Sequence, residues 1–175
     1  MRVDVVNVFF ALLTLAANVA AVGILAAVMA GRAGWLRTQI GPHALSLATL
    51  VAAVATLGSL YYSEVANFVP CELCWYQRIA MYPLPVVLGI AAFRRDPGVR
   101  RYALPLAAVG AVIATYHYVI EWLPVQDALG CSLDVPCSVP WFREFGFVSL
   151  PYMALSGFVL VSVLLLVATA REDGG

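Results

Sequence analysis

Four cysteines carry most of the chemistry this sequence offers. Cys71 and Cys74 form a C-x-x-C step directly after Pro70. Proline suits the first turn of a helix, and a helix N-terminus carries partial positive charge that lowers a thiol's pKa and favours the attacking thiolate. Arg78 lies four residues past Cys74, on the same helix face and about 6 Å further along the axis. Cys131 and Cys137 form a looser pair in a polar loop, where Gly130 and Pro136 suit a mobile turn. Six residues make a short loop whose closure costs little entropy.

The elements that must position these residues are membrane helices. Of the 175 residues 63% are hydrophobic and 11% charged, against about 25% charged in a soluble domain. Apolar stretches at 5–30, 43–62, 75–93, 102–123 and 148–170 are each close to the length that crosses a bilayer, about 20 residues. The third is the shortest and contains Arg78, Pro83 and Pro85. Backbone groups in lipid must be satisfied within the segment, which selects helices. The expected fold is therefore all-α, an integral membrane helix bundle. A cleaved leader is disfavoured because the first apolar run is far longer than a signal-peptide core of about 7–15 residues. A net charge of zero leaves no basic footprint for nucleic acid. Neither a phosphate-binding glycine loop nor a nucleophile elbow occurs.

Arginine placement predicts the orientation. Arg32, Arg37, Arg94, Arg95, Arg100, Arg101 and Arg171 flank one side of the spans, and only Arg2 and Arg143 flank the other. The richer side is expected to be cytoplasmic. The N-terminus and all four cysteines then lie outside, where disulfides persist, and the C-terminus lies inside.

Three readings compete for the cysteines: two structural disulfides, a four-thiolate zinc site, or a redox relay between a loop pair and a membrane-facing pair. Haem attachment is disfavoured, since Trp75 stands where a histidine would follow the C-x-x-C. The relay alone accounts for an arginine inside a span, a placement that is costly and marks function by default; the bland alternative is an arginine that snorkels to the interface. His117 falls about 9 Å below the expected outer surface, at a depth similar to Arg78, with Glu121 on its face one turn later. Arg78, Gln77 and His117 could line a pocket for a polar ring buried in the membrane, for which a quinone is suited; a histidine bonded to a backbone carbonyl is the competing reading. Tyr76, Tyr82, Tyr116 and Tyr118 are candidates for its walls or for an interfacial belt. The aromatic segment 141–147 is expected to lie flat as an interfacial helix, over which the second pair would be held.

The stretch P-C-E-L-C-W-Y-Q-R-I-A-M-Y-P, 70–83, closely resembles the signature of the DsbB/BdbC membrane disulfide-formation proteins. The second cysteine pair, His117 and the proline-bearing segment 141–151 fit the same family. The resemblance covers roughly 43–170. It implies a four-helix redox core over 43–170, preceded by an additional transmembrane helix and cytoplasmic loop over 1–42 and followed by a short tail, 171–175. It implies four catalytic cysteines, with Cys71–Cys74 as the quinone-linked pair and Arg78 on the quinone side. Cys131–Cys137 would re-oxidise an extracytoplasmic thioredoxin-fold protein of DsbA/BdbD type, with ubiquinone or menaquinone as acceptor and no metal, in a bacterial plasma membrane. Three features depart from the common pattern: the first span is additional, the second pair is close in sequence as in the BdbC-like branch, and Gln77 stands where some members carry an acidic residue. A vitamin K epoxide reductase-like enzyme, an outward-running reductant conduit and a structural protein with inert disulfides are the alternatives.

Overall fold

The computed structural model describes residues 3–123, 131 and 135–169. Gly130, the flanking Arg2 and Arg171, and the tail 171–175 lie outside the described residues. The described chain is helical, with one isolated antiparallel bridge between Glu144 and Val148.

Helix α1 runs Val3–Met29, a short α2 runs Ala33–Gln39, and α3 runs Gly41–Leu60, extended by a π-helical turn at Tyr61–Val65. Helices α4 (Glu72–Met81) and α5 (Pro83–Arg94) follow, then α6 (Arg100–Ile120) and α7 (Leu150–Val167). Among the described residues, four segments are long and apolar enough to cross a membrane: Val3–Met29, Gly41–Val65, Pro97–Ile120 and Leu150–Val167. The expected third span is instead two helices meeting at Tyr82. Pro83 and Pro85 have no N–H to give to the preceding turn, so the helical ladder breaks there although the chain continues in helical geometry.

Helices α3, α4 with α5, α6 and α7 pack as a four-membered bundle, and α1 lies outside it along α7. The core is built largely from small residues, among them Ala48, Ala52, Ala103, Ala107 and Ala114. Small side chains let helix backbones approach where lipid offers no hydrophobic drive for association. Larger side chains fill what remains, with Leu84, Leu88 and Phe158 fully buried. Asn18 of α1 donates from Nδ2 to the Tyr152 hydroxyl of α7 at 3.1 Å, tying the additional helix to the bundle.

The segment 141–147 is not a helix. Phe145 and Gly146 both take positive φ, 52° and 80°, and the chain reverses so that Glu144 pairs with Val148. Two of its rings pack on the end of the second span and the loop after it: Trp141 stacks on Phe68 with centroids 4.7 Å apart, and Phe142 meets Tyr62 at 5.5 Å. Ring packing against the end of α3 outweighs the amphipathic pattern that suggested a helix on the surface.

Gly110 of α6 faces the Phe158 ring of α7, and a Cβ there would overlap it. Gly110→Ala should lower the melting temperature in detergent, at a cost of about 1–3 kcal/mol typical of overpacking. Phe158→Leu in the same chain should recover part of that loss, and its failure to do so would remove the ring from the explanation.

Candidate functional site

Cys71 caps the N-terminus of α4 in extended geometry and Cys74 sits in its first turn. The Sγ atoms of these free cysteines are 3.1 Å apart. Cys71 is buried, and its Sγ lies 3.7 Å from Nε2 of His117, the buried histidine near the end of α6. Gln77 Nε2 stands 2.9 Å from His117 Nδ1. With the amide donating to Nδ1, the ring's own proton sits on Nε2 and faces the Cys71 sulfur. The fold therefore delivers a donor to Cys71 through three residues from two helices.

The electrostatics divide the two thiols. The hydrogen bond with Cys74, followed by the hydrogen bond and field of His117, holds the Cys71 thiol below the ordinary cysteine range despite its burial. The Cys74 thiol is raised, first by its bond with Cys71 and then by burial. Cys71 is thus the thiolate of the reduced pair and Cys74 the thiol that donates to it.

The Arg78 side chain packs beneath the pair. Its Nε donates to Ser59 Oγ and its Nη2 to the Ser59 carbonyl, each at 3.0 Å. Tyr82 bonds the same Ser59 hydroxyl at 3.2 Å, and the guanidinium lies 5.1 Å from the Trp75 ring centroid. The cation is bound by a neighbouring helix, and among the described residues no carboxylate pairs with it.

Cys131 and Cys137 form a disulfide with Cα atoms 5.9 Å apart. Cys137 is buried in one apolar cluster with Cys71, Leu73 and Ile120, against which Cys74 and Cys131 also pack. The two cysteine pairs, 57 residues apart from Cys74 to Cys131, are thereby brought together. A small crevice bordered by Cys71, Cys74, His117, Glu121 and Cys137 lies between them. The closed loop pair leaves no four-thiolate zinc arrangement. Among the described residues, Cys71, Cys74 and His117 form the grouping able to hold a metal ion, with donor atoms within 4.8 Å of one another.

On the other side of Cys74 is a cavity of about 450 Å³, a volume suited to a small organic molecule. Gln77, Arg78, Ser59 and Tyr82 are among its polar groups, with Thr14, Tyr62 and Ser156, and the remaining wall is mostly apolar. A quinone fits that donor set: the Arg78 guanidinium and the Tyr82 and Ser59 hydroxyls can donate to ring carbonyls, and the apolar wall suits the body. Gln77 and Arg78 border this cavity, whereas His117 lies behind Gln77 on the crevice side. Of the four tyrosines considered, Tyr82 borders it. Tyr76 and Tyr116 are exposed, and Tyr118 donates to the Phe147 carbonyl. Ser59, Tyr62 and Trp141 also border the cavity and were not singled out by sequence. Ser59 and Tyr62, one turn apart near the end of a span, were the available signal.

A second network braces the loop. Glu121 is buried, its carboxyl accepts from the Ser149 hydroxyl, and its backbone carbonyl accepts from Arg143, which lies 4.1 Å over the Trp122 ring. Arg143 therefore joins the C-terminal end of α6 to the segment that carries Cys137 toward α7.

A membrane helix bundle that sets two vicinal thiols against a disulfide and a membrane-level cavity is a thiol–disulfide oxidoreductase by its chemistry. Residues 41–168 match the family model described as "Disulfide bond formation protein DsbB", and the chain belongs to that family. The "Disulfide bond formation protein C" of Bacillus subtilis (strain 168) is 47% identical over 117 residues, which is 66% of this chain and 85% of that protein. A "Probable disulfide formation protein" of Deinococcus radiodurans is 47% identical over 131 residues, 69% of this chain and 85% of the relative. One from Oceanobacillus iheyensis is 42% identical over 139 residues, 78% and 95% respectively. No solved structure matches this chain. The chain is accordingly a multi-pass membrane protein of disulfide bond formation, and α1 lies outside the region that defines the family.

In the reduced protein, the thiolate absorbance of Cys71 should titrate well below the free-cysteine value of about 8.5, because both hydrogen-bonding partners favour the charged form. His117→Ala should move that midpoint upward without restoring the free value, since the larger contribution comes from Cys74. A midpoint near about 8.5 in the unsubstituted protein would overturn this division of the two thiols.

Proposed function

We propose that this protein re-oxidises an extracytoplasmic thioredoxin-fold dithiol protein of DsbA/BdbD type and passes the electrons to a membrane quinone, using the bundle over 43–170 as its redox core. The observation that carries the reading is the position of Cys74, which borders both the crevice shared with Cys137 and the cavity rimmed by Arg78. A single sulfur then connects the loop disulfide to the membrane-level site. The arginine distribution supports an orientation with the N-terminus and cysteines outside and the C-terminus in the cytoplasm of a bacterial cell.

The partner's thiolate attacks Cys131–Cys137 and forms a mixed disulfide, and the partner's second thiol resolves it. The partner leaves as a disulfide and the loop pair is left as a dithiol. A loop thiolate then attacks Cys74 within the Cys71–Cys74 disulfide and releases Cys71 as a thiolate, which the Nε2 proton of His117 stabilises. The second loop thiol attacks the loop sulfur of this new mixed disulfide. Cys131–Cys137 reforms, and Cys74 takes up the proton. Low pKa makes a good leaving thiolate, which assigns the leaving role to Cys71.

A quinone held by Arg78, Tyr82 and Ser59 would supply the terminal acceptor: the Cys71–Cys74 pair closes again to a disulfide, giving up two electrons, and quinol forms with the Cys74 proton and one proton from water. An acceptor of that strength is needed because a DsbA-type partner has a potential of about −120 mV. Arg78 would hold the ring from its carbonyl side and stabilise negative charge developing there or on Cys74. Held by Ser59 rather than by a carboxylate, its full charge remains available.

The test uses purified protein, a reduced thioredoxin-fold dithiol protein and a soluble quinone, with quinone absorbance followed in time. Quinone loss should require both the dithiol protein and Cys74, and Cys74→Ser should abolish it. Arg78→Ala should raise the KM for quinone about 10- to 100-fold, as expected for a lost charged hydrogen bond, and leave the KM for the dithiol protein nearly unchanged. Inert disulfides with no quinone loss would refute the oxidase reading, and unaltered quinone kinetics in Arg78→Ala would remove the arginine from it.

A further inference from the structure

The cavity beside Cys74 has a direction. Cys74, Gln77, Arg78, Ser59, Tyr62 and Tyr82 lie at its cysteine end, and the two hydroxyls further along the wall, of Thr14 and Ser156, each donate to a carbonyl of their own helix. From there it continues between helices to Ala20 on α1, Leu50 on α3 and Leu160 on α7. Phe10 to Ala20 on α1, and Leu150 to Leu160 on α7, each span ten residue steps of wall, which is about 15 Å of helix. A site polar at one end and apolar along its length is the complement of a ring with an aliphatic tail.

The apolar length has an open side. Helix α1 packs along α7 and approaches α3 where Phe10 sits over Gly58. Deeper in, Leu13, Ala16 and Ala20 on α1 and Leu50 on α3 border the cavity and are nevertheless exposed. Their exposure marks the mouth, and in a bilayer a mouth at this depth opens into lipid. On α1 the lining positions 13, 16, 17 and 20 recur at helical spacing and form one stripe. Val22, on the opposite face, is 65% exposed and does not border the cavity.

We infer that α1, the helix outside the family region, forms with α3 a lateral portal in which the isoprenoid tail of the quinone lies. The additional helix then belongs to the binding site. Small alanines at 16, 17 and 20 leave the width a tail requires, where larger side chains would close the gap against α3. This inference rests on the reading of the cavity as the quinone site, and it assigns the tail to a part of the chain that the redox chemistry does not otherwise use.

Equilibrium binding tests it without turnover. The purified protein is titrated with a tail-free quinone and with its decyl-tailed analogue, and quenching of tryptophan emission is followed; Trp141 borders the cavity. The unsubstituted protein should bind the tailed quinone at least about tenfold more tightly, as expected for burying several methylene groups. Ala16→Phe/Ala20→Phe should remove most of that advantage and leave the tail-free affinity unchanged, and Val22→Phe should behave as the unsubstituted protein. A tail advantage that survives in Ala16→Phe/Ala20→Phe overturns the portal. If the double variant also loses tail-free binding, Ala20→Phe alone decides by the same criterion. Failure of the unsubstituted protein to bind either quinone would instead overturn the underlying assignment of the cavity.

Discussion

The contact of Gln77 with His117 is the interaction on which the site depends. It fixes one imidazole between two helices, and through that ring it aims a donor at the sulfur at the start of α4. Helix α4 is only ten residues long, too short to hold a strong preference for its own position. What holds it is α6 on one side, through His117, and α3 on the other, through the Arg78–Ser59 bonds. The break at Tyr82 makes this possible, because α4 can meet α6 while α5 lies along α3. A straight helix through this region would have to satisfy both neighbours along a single axis.

The burial of charge follows the same economy. Arg78 in a membrane protein requires donors and acceptors that lipid cannot supply. Ser59 supplies a hydroxyl and a carbonyl, and the flanking Trp75 and Tyr82 rings cover the cation's faces. None of these partners is anionic. A carboxylate in their place would neutralise the guanidinium and reduce its field at Cys74 and in the cavity.

The segment leading into α7 is held by aromatic stacking and by Arg143. Stacked rings running from Tyr62 through Phe68 to Trp141 form a wall between the end of α3 and the segment leading into α7. That wall closes the cysteine end of the cavity and carries the chain past Cys137. The Cys131–Cys137 disulfide therefore lies over the thiols through packing of its flanking segment, and Arg143 bonded to the end of α6 keeps that segment in register with His117's helix.

Much of this was legible in the sequence. Hydrophobic length and low charge suffice to determine a helical membrane bundle, because lipid allows a chain few other ways to satisfy its backbone. The C-x-x-C after proline, with an arginine one turn later, suffices to determine a thiol pair beside a half-buried cation, because helical periodicity leaves those residues little choice of face. The tertiary structure decided the rest. Whether 75–93 runs straight depends on neighbours that accept a broken ladder at Pro83. Whether 141–147 lies on a membrane surface depends on rings elsewhere that it can stack upon. His117 and Arg78 are expected at one depth from helical rise, yet they fall on different sides of Gln77, and depth alone carries no azimuth. Ser59 as the arginine's partner, the meeting of two distant cysteine pairs, and α1 as a wall of the cavity are contacts between residues far apart in the chain, and no local pattern encodes which face of one helix will meet which face of another.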